Sequence, residues 1–277
     1  MRIWLDGALR DVDSATVSVL DHGLTVGDGV FETLKAVRGR PFALTRHLER
    51  LTRSARGLGL PDPDLDEVRR ACAAVLEAEP VEHGRLRLTY TGGVAPLGSD
   101  RGDAAPTLIA AVAASPRRPD TTSVVTVPWV RNERSAVAGL KTTSYAENVV
   151  ALAAAYRAGA SEALLANTVG RLCEGTGSNV FVVLDGELHT PPLQSGCLAG
   201  ITRALIVDWA GAKETDLPFE VLAEAEEVFV TSSLRDAQAV VRLDGRKLGT
   251  GTGTGPGPVT AEVMRIFEVK AGADLDP

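Results

Sequence analysis

A lysine and a glutamate set out the chemistry open to this chain. Lys141 lies in Ala138-Gly139-Leu140-Lys141-Thr142-Thr143-Ser144-Tyr145, between an irregular segment and an amphipathic helix. At such a junction a lysine can be desolvated, which lowers its pKa and frees the amine for imine formation. A solvated lysine at a helix start is the commoner reading of the residue taken alone. Glu174 opens Glu174-Gly175-Thr176-Gly177-Ser178-Asn179-Val180-Phe181. A tight turn there would present the carboxylate to a ligand; the plain alternative is a solvated turn residue. The loop from His189 to Arg203 runs into a helix, where exposed amides of Gly200, Ile201 and Thr202 and the Thr202 hydroxyl would receive a phosphate at the helix's positive end. Its plain reading is a loop with a threonine cap. The hydroxyls of Thr231-Ser232-Ser233 follow an apolar strand, at the end where sites in mixed sheets gather.

Other chemistries find little support. His22, His47, His83 and His189 share no spacing, so no metal is expected. No serine has the G-x-S-x-G context of a hydrolase nucleophile. Cys72, Cys173 and Cys197 form neither a disulfide framework nor a zinc pattern, which suits a reducing cytoplasm. The run Gly249–Gly257 matches no phosphate-loop register and reads as a flexible surface connection. A net charge of −7 with scattered basic residues argues against nucleic acid, and any anionic substrate would need a local basic pocket. With no apolar leader and no run of membrane-span length, the expectation is a soluble cytoplasmic protein without a membrane partner.

The elements that must position these residues are short and mixed. Hairpins are expected on Asp6-Gly7 and on Arg38-Gly39-Arg40, the latter joining Phe31–Val37 to Pro41–Leu44. Thr45 then caps a helix with Leu48, Leu51, Ala55 and Leu58 inward, and a second helix follows Pro63-Asp64. Strands 86–91 and 107–114 come next. Beyond them lie strand 124–127, a helix from about Tyr145 with Tyr145, Val149, Leu152 and Tyr156 on one face, strand 163–166, and hairpins on Asp185-Gly186 and Asp244-Gly245. The last helix begins near Val259. The fold class is therefore mixed α/β (α+β): two domains of mixed sheets with hairpins and flanking helices, a cofactor cleft between them, and no doubly wound nucleotide fold. The division reads 1–115 for a smaller domain, 116–122 for a proline-bracketed linker, and 123–277 for a larger cofactor-binding domain.

The order of these signals resembles the class IV aminotransferases, the fold-type IV pyridoxal-phosphate enzymes that include branched-chain and D-amino-acid aminotransferases and 4-amino-4-deoxychorismate lyase. The family signature of glutamate, asparagine, aromatic, threonine and a leucine-x-glycine ending stands here as Glu174, Asn179, Phe181, Thr190 and Leu198-Ala199-Gly200-Ile201-Thr202-Arg203. Gly27–Thr33 and His47–Leu51 match its N-terminal motifs. The resemblance implies pyridoxal 5'-phosphate bound as a Schiff base to Lys141, which also shuttles the substrate proton. It implies Glu174 at the pyridine nitrogen and Leu198 beneath the ring. Arg50, Ile201 and Thr202 would take the phosphate with Ser232 or Ser233, Tyr145 the phenolic oxygen, and Asn179 and Gly200 belong to the same cofactor set. Phe31, Arg87 and Tyr90 are expected to meet the substrate. A homodimer acting on a small anionic amino compound follows from the resemblance alone.

Family members share the cofactor and part at the substrate. Thr33 resembles the lyase pattern, in which its hydroxyl reaches the substrate, so the expected reaction is release of 4-aminobenzoate and pyruvate for folate synthesis. The alternative is a branched-chain-type or broad-specificity aminotransferase. In Arg85–Gly93 the arginine that D-amino-acid aminotransferases and some lyases carry before glycine is replaced by Thr91, which removes a carboxylate clamp. Arg87 and Arg101 are its candidate substitutes, with surface charge as the plain reading of both.

Overall fold

Period-two alternation in the N-terminal third builds an antiparallel sheet. The computed structural model describes residues 1–248 and 255–277, so most of the glycine run lies outside the described residues. β1 (Arg2–Leu5) and β2 (Ala8–Asp11) fold on Asp6-Gly7, both at positive φ as a two-residue hairpin turn requires. After the short α1 (His22–Thr25), β3 (Gly29–Val37) turns on Arg38-Gly39 into β4 (Arg40–Pro41). β4 is shorter than expected because Ala43 takes a left-handed conformation, φ 53°, and turns the chain into α2 (Leu44–Leu58). α3 (Leu65–Ala78), β5 (His83–Thr91) and β6 (Thr107–Ala114) follow, and the sheet order is β2-β1-β6-β5-β3-β4. Leu34, Leu86, Leu88 and Val112 pack from it against Leu48, Leu51, Val68 and Val75 of α2 and α3.

α3 starts after Pro63-Asp64 as expected, and its cap is Asp64, whose carboxylate accepts from the amides of Asp66 and Glu67. The cap of α2 is not Thr45. Its amide and hydroxyl both donate to the carboxylate of Asp276, an acceptor 231 residues away that no local pattern announces.

Two compact units emerge: Met1–Arg117 with Leu140–Tyr145 and Asp274–Pro277, and Arg118–Gly139 with Ala146–Ala273. The sequence division did not separate the two short segments of the first unit. Leu140–Tyr145 joins it through backbone pairing beside β3: Phe31 N–H donates to Lys141 C=O at 3.0 Å and Thr143 N–H to Gly29 C=O at 2.8 Å.

The second unit holds β7 (Thr121–Arg131), α4 (Ala146–Arg157), β8 (Glu162–Asn167), β9 (Leu172–Gly175), β10 (Asn179–Leu184) and β11 (Glu187–Thr190). It continues with α5 (Ile201–Ala210), β12 (Lys213–Glu214), α6 (Val221–Glu224), β13 (Glu227–Ser232), β14 (Asp236–Leu243), β15 (Arg246–Lys247) and α7 (Pro258–Ala273). The strand order is β12-β11-β10-β13-β14-β7-β8-β9, with β7 parallel to both its neighbours and β15 on β14. Hairpins on Asp185-Gly186 and Asp244-Gly245 stand where their positive-φ pairs predict.

α4 corrects the expected helix face. Tyr145 precedes the helix, Val149 and Tyr156 are exposed, and the buried positions are Asn148, Ala151 and Ala155. The alanines, packed with Ala160 and Ala163 and flanked by Val125 and Val127, let the helix lie close to the sheet, which larger side chains would prevent.

Candidate active site

In the first unit, pairing of β3 with β5 sets two faces with opposite roles. Thr33 stands opposite Arg87 and Phe31 opposite Thr89, all on the face away from α2 and α3. The Arg87 guanidinium lies 3.5 Å from the Phe31 ring centroid and donates at 3.4 Å to Thr33 Oγ1 and at 3.3 Å to Thr89 Oγ1. Lys141 Nζ sits 4.4 Å from the same ring, and Tyr145 meets it edge-on at 5.3 Å. One phenyl ring thus gathers two cations and a phenol. The Lys141 backbone is fixed besides by its N–H, which donates to Ser54 Oγ at 3.2 Å. Among the described residues no carboxylate comes within ion-pair distance of Arg87, and burial pulls its guanidinium down to about 10, still protonated at neutral pH.

Two residues proposed from sequence stand differently, and a third, Arg50, is already tied to a carboxylate. Tyr90 faces the other way, in the core cluster with Val30, Leu34 and Leu88, so it lies off the Phe31 face; strand alternation dictates this once Arg87 is on that face. Arg101 is engaged, its Nε and Nη2 donating to Asp28, Nη2 also to Leu58 C=O and Nη1 to Gly59 C=O, and so does not stand in for a carboxylate clamp. Arg50 is on the core side of β3, where its Nε and Nη2 bind Glu32 at 2.8 and 2.7 Å and His47 Nδ1 lies 2.6 Å from the same carboxylate. Burial would raise the Glu32 pKa; Arg50 and His47 outweigh it and hold the carboxyl well below the usual range. Burial also pushes the His47 ring down, against the pull of Glu32 on its Nδ1 side.

In the second unit Glu174 lies in β9 rather than in a turn. Its Oε2 accepts from Leu198 N–H at 2.9 Å and its Oε1 is 3.0 Å from Arg131 Nε. The turn that follows is clamped from below by buried Glu162, which accepts from Thr176 N–H and Ser178 Oγ–H at 2.9 Å each and from the Thr176 hydroxyl. Asn179 Nδ2 donates to Leu198 C=O at 2.9 Å. A Cβ at Gly200 would collide with Asn179 Oδ1, which makes glycine obligatory at that approach. The Gly200 amide is not exposed, because it donates to Leu198 C=O at 2.7 Å. The amides left for an anion are those of Ile201 and Thr202 at the start of α5, a helix without a side-chain cap. Ser232 ends β13 and Ser233 follows it, both half-buried; beside them Thr231 carries a buried hydroxyl with no partner. Arg131, Asn148 and Glu162 had no motif to reveal them. Phe181 and Thr190 serve the fold, the ring stacked 4.8 Å from Phe229 and the hydroxyl bound to Val180 C=O.

Comparison with known proteins gives the family. Residues 29–243 match the amino-transferase class IV family. The chain belongs to the class IV aminotransferases. A putative branched-chain-amino-acid aminotransferase of Methanocaldococcus jannaschii is 35% identical over 89% of each chain. A bifunctional aminodeoxychorismate lyase / D-amino acid transaminase of Mycobacterium tuberculosis is 32% identical over 90% of this chain and 93% of its own. The structure of a hypothetical aminotransferase from Mycobacterium tuberculosis in its PLP-bound form superposes with a TM-score of 0.86 at 29% identity, covering 97% of this chain and 98% of the other.

As a class IV aminotransferase the chain is an enzyme of a pyridoxal-phosphate-dependent family. Its residues fit the group: an uncapped helix start, the orphan hydroxyl of Thr231 and a carboxylate held at both oxygens suit a phosphate and a ring nitrogen. Glu32 gives a prediction of its own. Glu32→Gln leaves Arg50 buried without its counter-charge and should cost about 3–5 kcal/mol in urea unfolding. Because the folded carboxyl is depressed, its contribution is present above the ordinary carboxylate range and lost as pH falls through the folded value. The variant should therefore show a weaker loss of stability between neutral and acid pH than the parent.

Proposed function

We propose that this chain is a pyridoxal-phosphate-dependent 4-amino-4-deoxychorismate lyase that yields 4-aminobenzoate and pyruvate for folate synthesis. The observation that carries this reading is the Arg87–Thr33 pair on the Phe31 face beside Lys141. A half-buried guanidinium without an acid of its own is a natural receiver for a substrate carboxylate. Thr33 accepts from Arg87, which leaves its own O–H to donate toward the fragment that departs.

Pyridoxal phosphate, when bound, supplies an aldehyde for the substrate amine and a ring that accepts an electron pair. In our reading Lys141 Nζ carries the cofactor and removes the proton from the substrate carbon that bears nitrogen. Thr33 Oγ1 steadies the oxygen of the leaving pyruvyl group, and Arg87 holds a substrate carboxylate. Phe31 fixes both cations by presenting its face. Glu174 meets the ring nitrogen; Arg50, Ile201, Thr202 and Ser232 or Ser233 hold the phosphate, now with Thr231 as a further candidate. Tyr145, against Phe31, is assigned to the phenolic oxygen. Asn179 and Gly200 shape the Leu198 loop.

A second reading, a branched-chain-type or broad-specificity aminotransferase, draws on the relative from Methanocaldococcus jannaschii. The two separate in one assay. With aminodeoxychorismate, the lyase reading expects 4-aminobenzoate and pyruvate without glutamate. With L-leucine or D-alanine and 2-oxoglutarate, glutamate formation in preference to that reaction would overturn it. Arg87→Gln should raise KM for the substrate roughly 10- to 100-fold, the worth of a charge-assisted hydrogen bond, and an unchanged KM would remove Arg87 from the site.

We further propose a cytoplasmic homodimer. Among the described residues no helix is long and apolar enough to cross a membrane, and the three cysteines are buried and unpaired. Val19, Leu24, Val94 and Leu97 are exposed on segments tied together by the Ala95 N–H to Leu20 C=O bond and the Asp21–Val94 bridge, a surface that a second copy would cover. Light scattering should find a dimer for the parent and a folded monomer for the double variant Leu24→Asp, Leu97→Asp; a parent monomer would refute the assembly.

A further inference from the structure

Arg131 ends β7 with a guanidinium that touches Glu174 from one side. Its Nε lies 3.0 Å from Glu174 Oε1, and its Nη1 donates to Asn148 Oδ1 at 3.0 Å. The Nε–H is not aligned for a hydrogen bond and remains a buried donor without one, so the contact is one of charges. Asn148 in turn donates through Nδ2 to the Thr176 carbonyl. A single guanidinium therefore reaches the carboxylate directly and the turn behind it through one amide. On the other side Leu198 N–H holds Oε2 at 2.9 Å. A carboxylate gripped at both oxygens cannot rotate, and the orientation of its remaining lone pairs is set by the fold.

Of the other groups nearby, buried Glu162 is turned to Thr176, Ser178 and Arg235, while Arg131 is a cation in direct contact with Glu174. Glu147 approaches Arg131 at 3.8 Å but is exposed, so water screens it. Cys173 and Cys197 flank Glu174, and burial pushes both thiols up, Cys197 to about 11, so neither carries charge at working pH.

We infer that Arg131 is a positioning residue for Glu174: it keeps this carboxylate ionised and aimed, and it restrains how strongly the carboxylate competes for the proton of the cofactor's ring nitrogen. The inference rests on the proposed role of Glu174 at that nitrogen. The physical argument is direct. A cation in contact with a carboxylate lowers the carboxylate's proton affinity, so the proton of the pair stays on nitrogen. Without the cation the carboxylate is both more basic and free to turn about its last bond.

The test reads the pH midpoint of the bound cofactor's visible absorbance in the holoenzyme, with thermal melting measured in parallel. Arg131→Met removes a positive charge and should move the midpoint to higher pH by roughly half a unit to one unit. Glu174→Gln removes a negative charge and should move it to lower pH. Arg131→Lys keeps the charge and should return the midpoint toward that of the parent. Should Arg131→Met not fold, Arg131→Gln, which keeps a donor for Asn148, carries the same expectation. If Glu174→Gln shifts the midpoint while the neutral Arg131 variants only lower the melting temperature, Arg131 is structural and the inference fails with the Glu174 reading intact. If Glu174→Gln leaves the midpoint unmoved, the Glu174 reading fails and the inference with it.

Discussion

The first unit depends on one buried carboxylate. Glu32 sits in an apolar core, where an unpaired charge would be expelled or neutralised, and it stays ionised because Arg50 and His47 meet it there. The pairing also pins the register of β3. A slip of one residue would drive Phe31 and Thr33 into the helices and throw Glu32 onto the opposite face, away from Arg50. The register that hides the acid is therefore the register that presents Phe31 and Thr33 beside Arg87. The candidate site on one face is held in register by electrostatics on the other.

The second unit solves a similar problem with backbone amides. Glu162 gathers Thr176 and Ser178, and this closes the turn between β9 and β10 and leaves Glu174 and Asn179 at its two shoulders. Both shoulders then hold Leu198, one by its N–H and the other by its C=O. The absence of a side chain at Gly200 lets α5 begin against Asn179. The loop, the strand and the helix start are thus one hydrogen-bonded piece, which explains how a signature spread over thirty residues of sequence acts as a unit.

Much of this was legible beforehand, and for physical reasons. Asp-Gly turns require positive φ and so announced their hairpins, the Asp64 cap is local, and the motif around Glu174 and Leu198 drew attention to residues that the fold does tie together. What escaped notice depends on distant partners. Thr45 was read as a cap because capping is usually local, yet the acceptor is Asp276. Tyr90 is two-faced in sequence, and alternation puts it on the core face only once one residue of β5 is oriented. The α4 face is hidden in the sequence because its large apolar residues suggest the inward side, whereas close approach to the sheet favours alanine. Arg131 and Glu162 carry no local pattern; their meaning comes from which carboxylate or amide the sheet sets beside them.

The Asp276 contact has a consequence for the order in which this molecule can be made. α2, the helix that carries His47 and Arg50, begins where Ala43 N–H donates to Leu275 C=O and Thr45 donates to Asp276. A ribosome that has already delivered every strand of the first sheet has still to translate the whole second unit before those acceptors exist. Until then the nascent helix start is open, and closing it later means joining segments more than two hundred residues apart against the entropy of the intervening chain. The first part of the protein to emerge is in this respect among the last to be completed, and a nascent chain stalled before Leu275 would display its arginine-bearing helix unfinished.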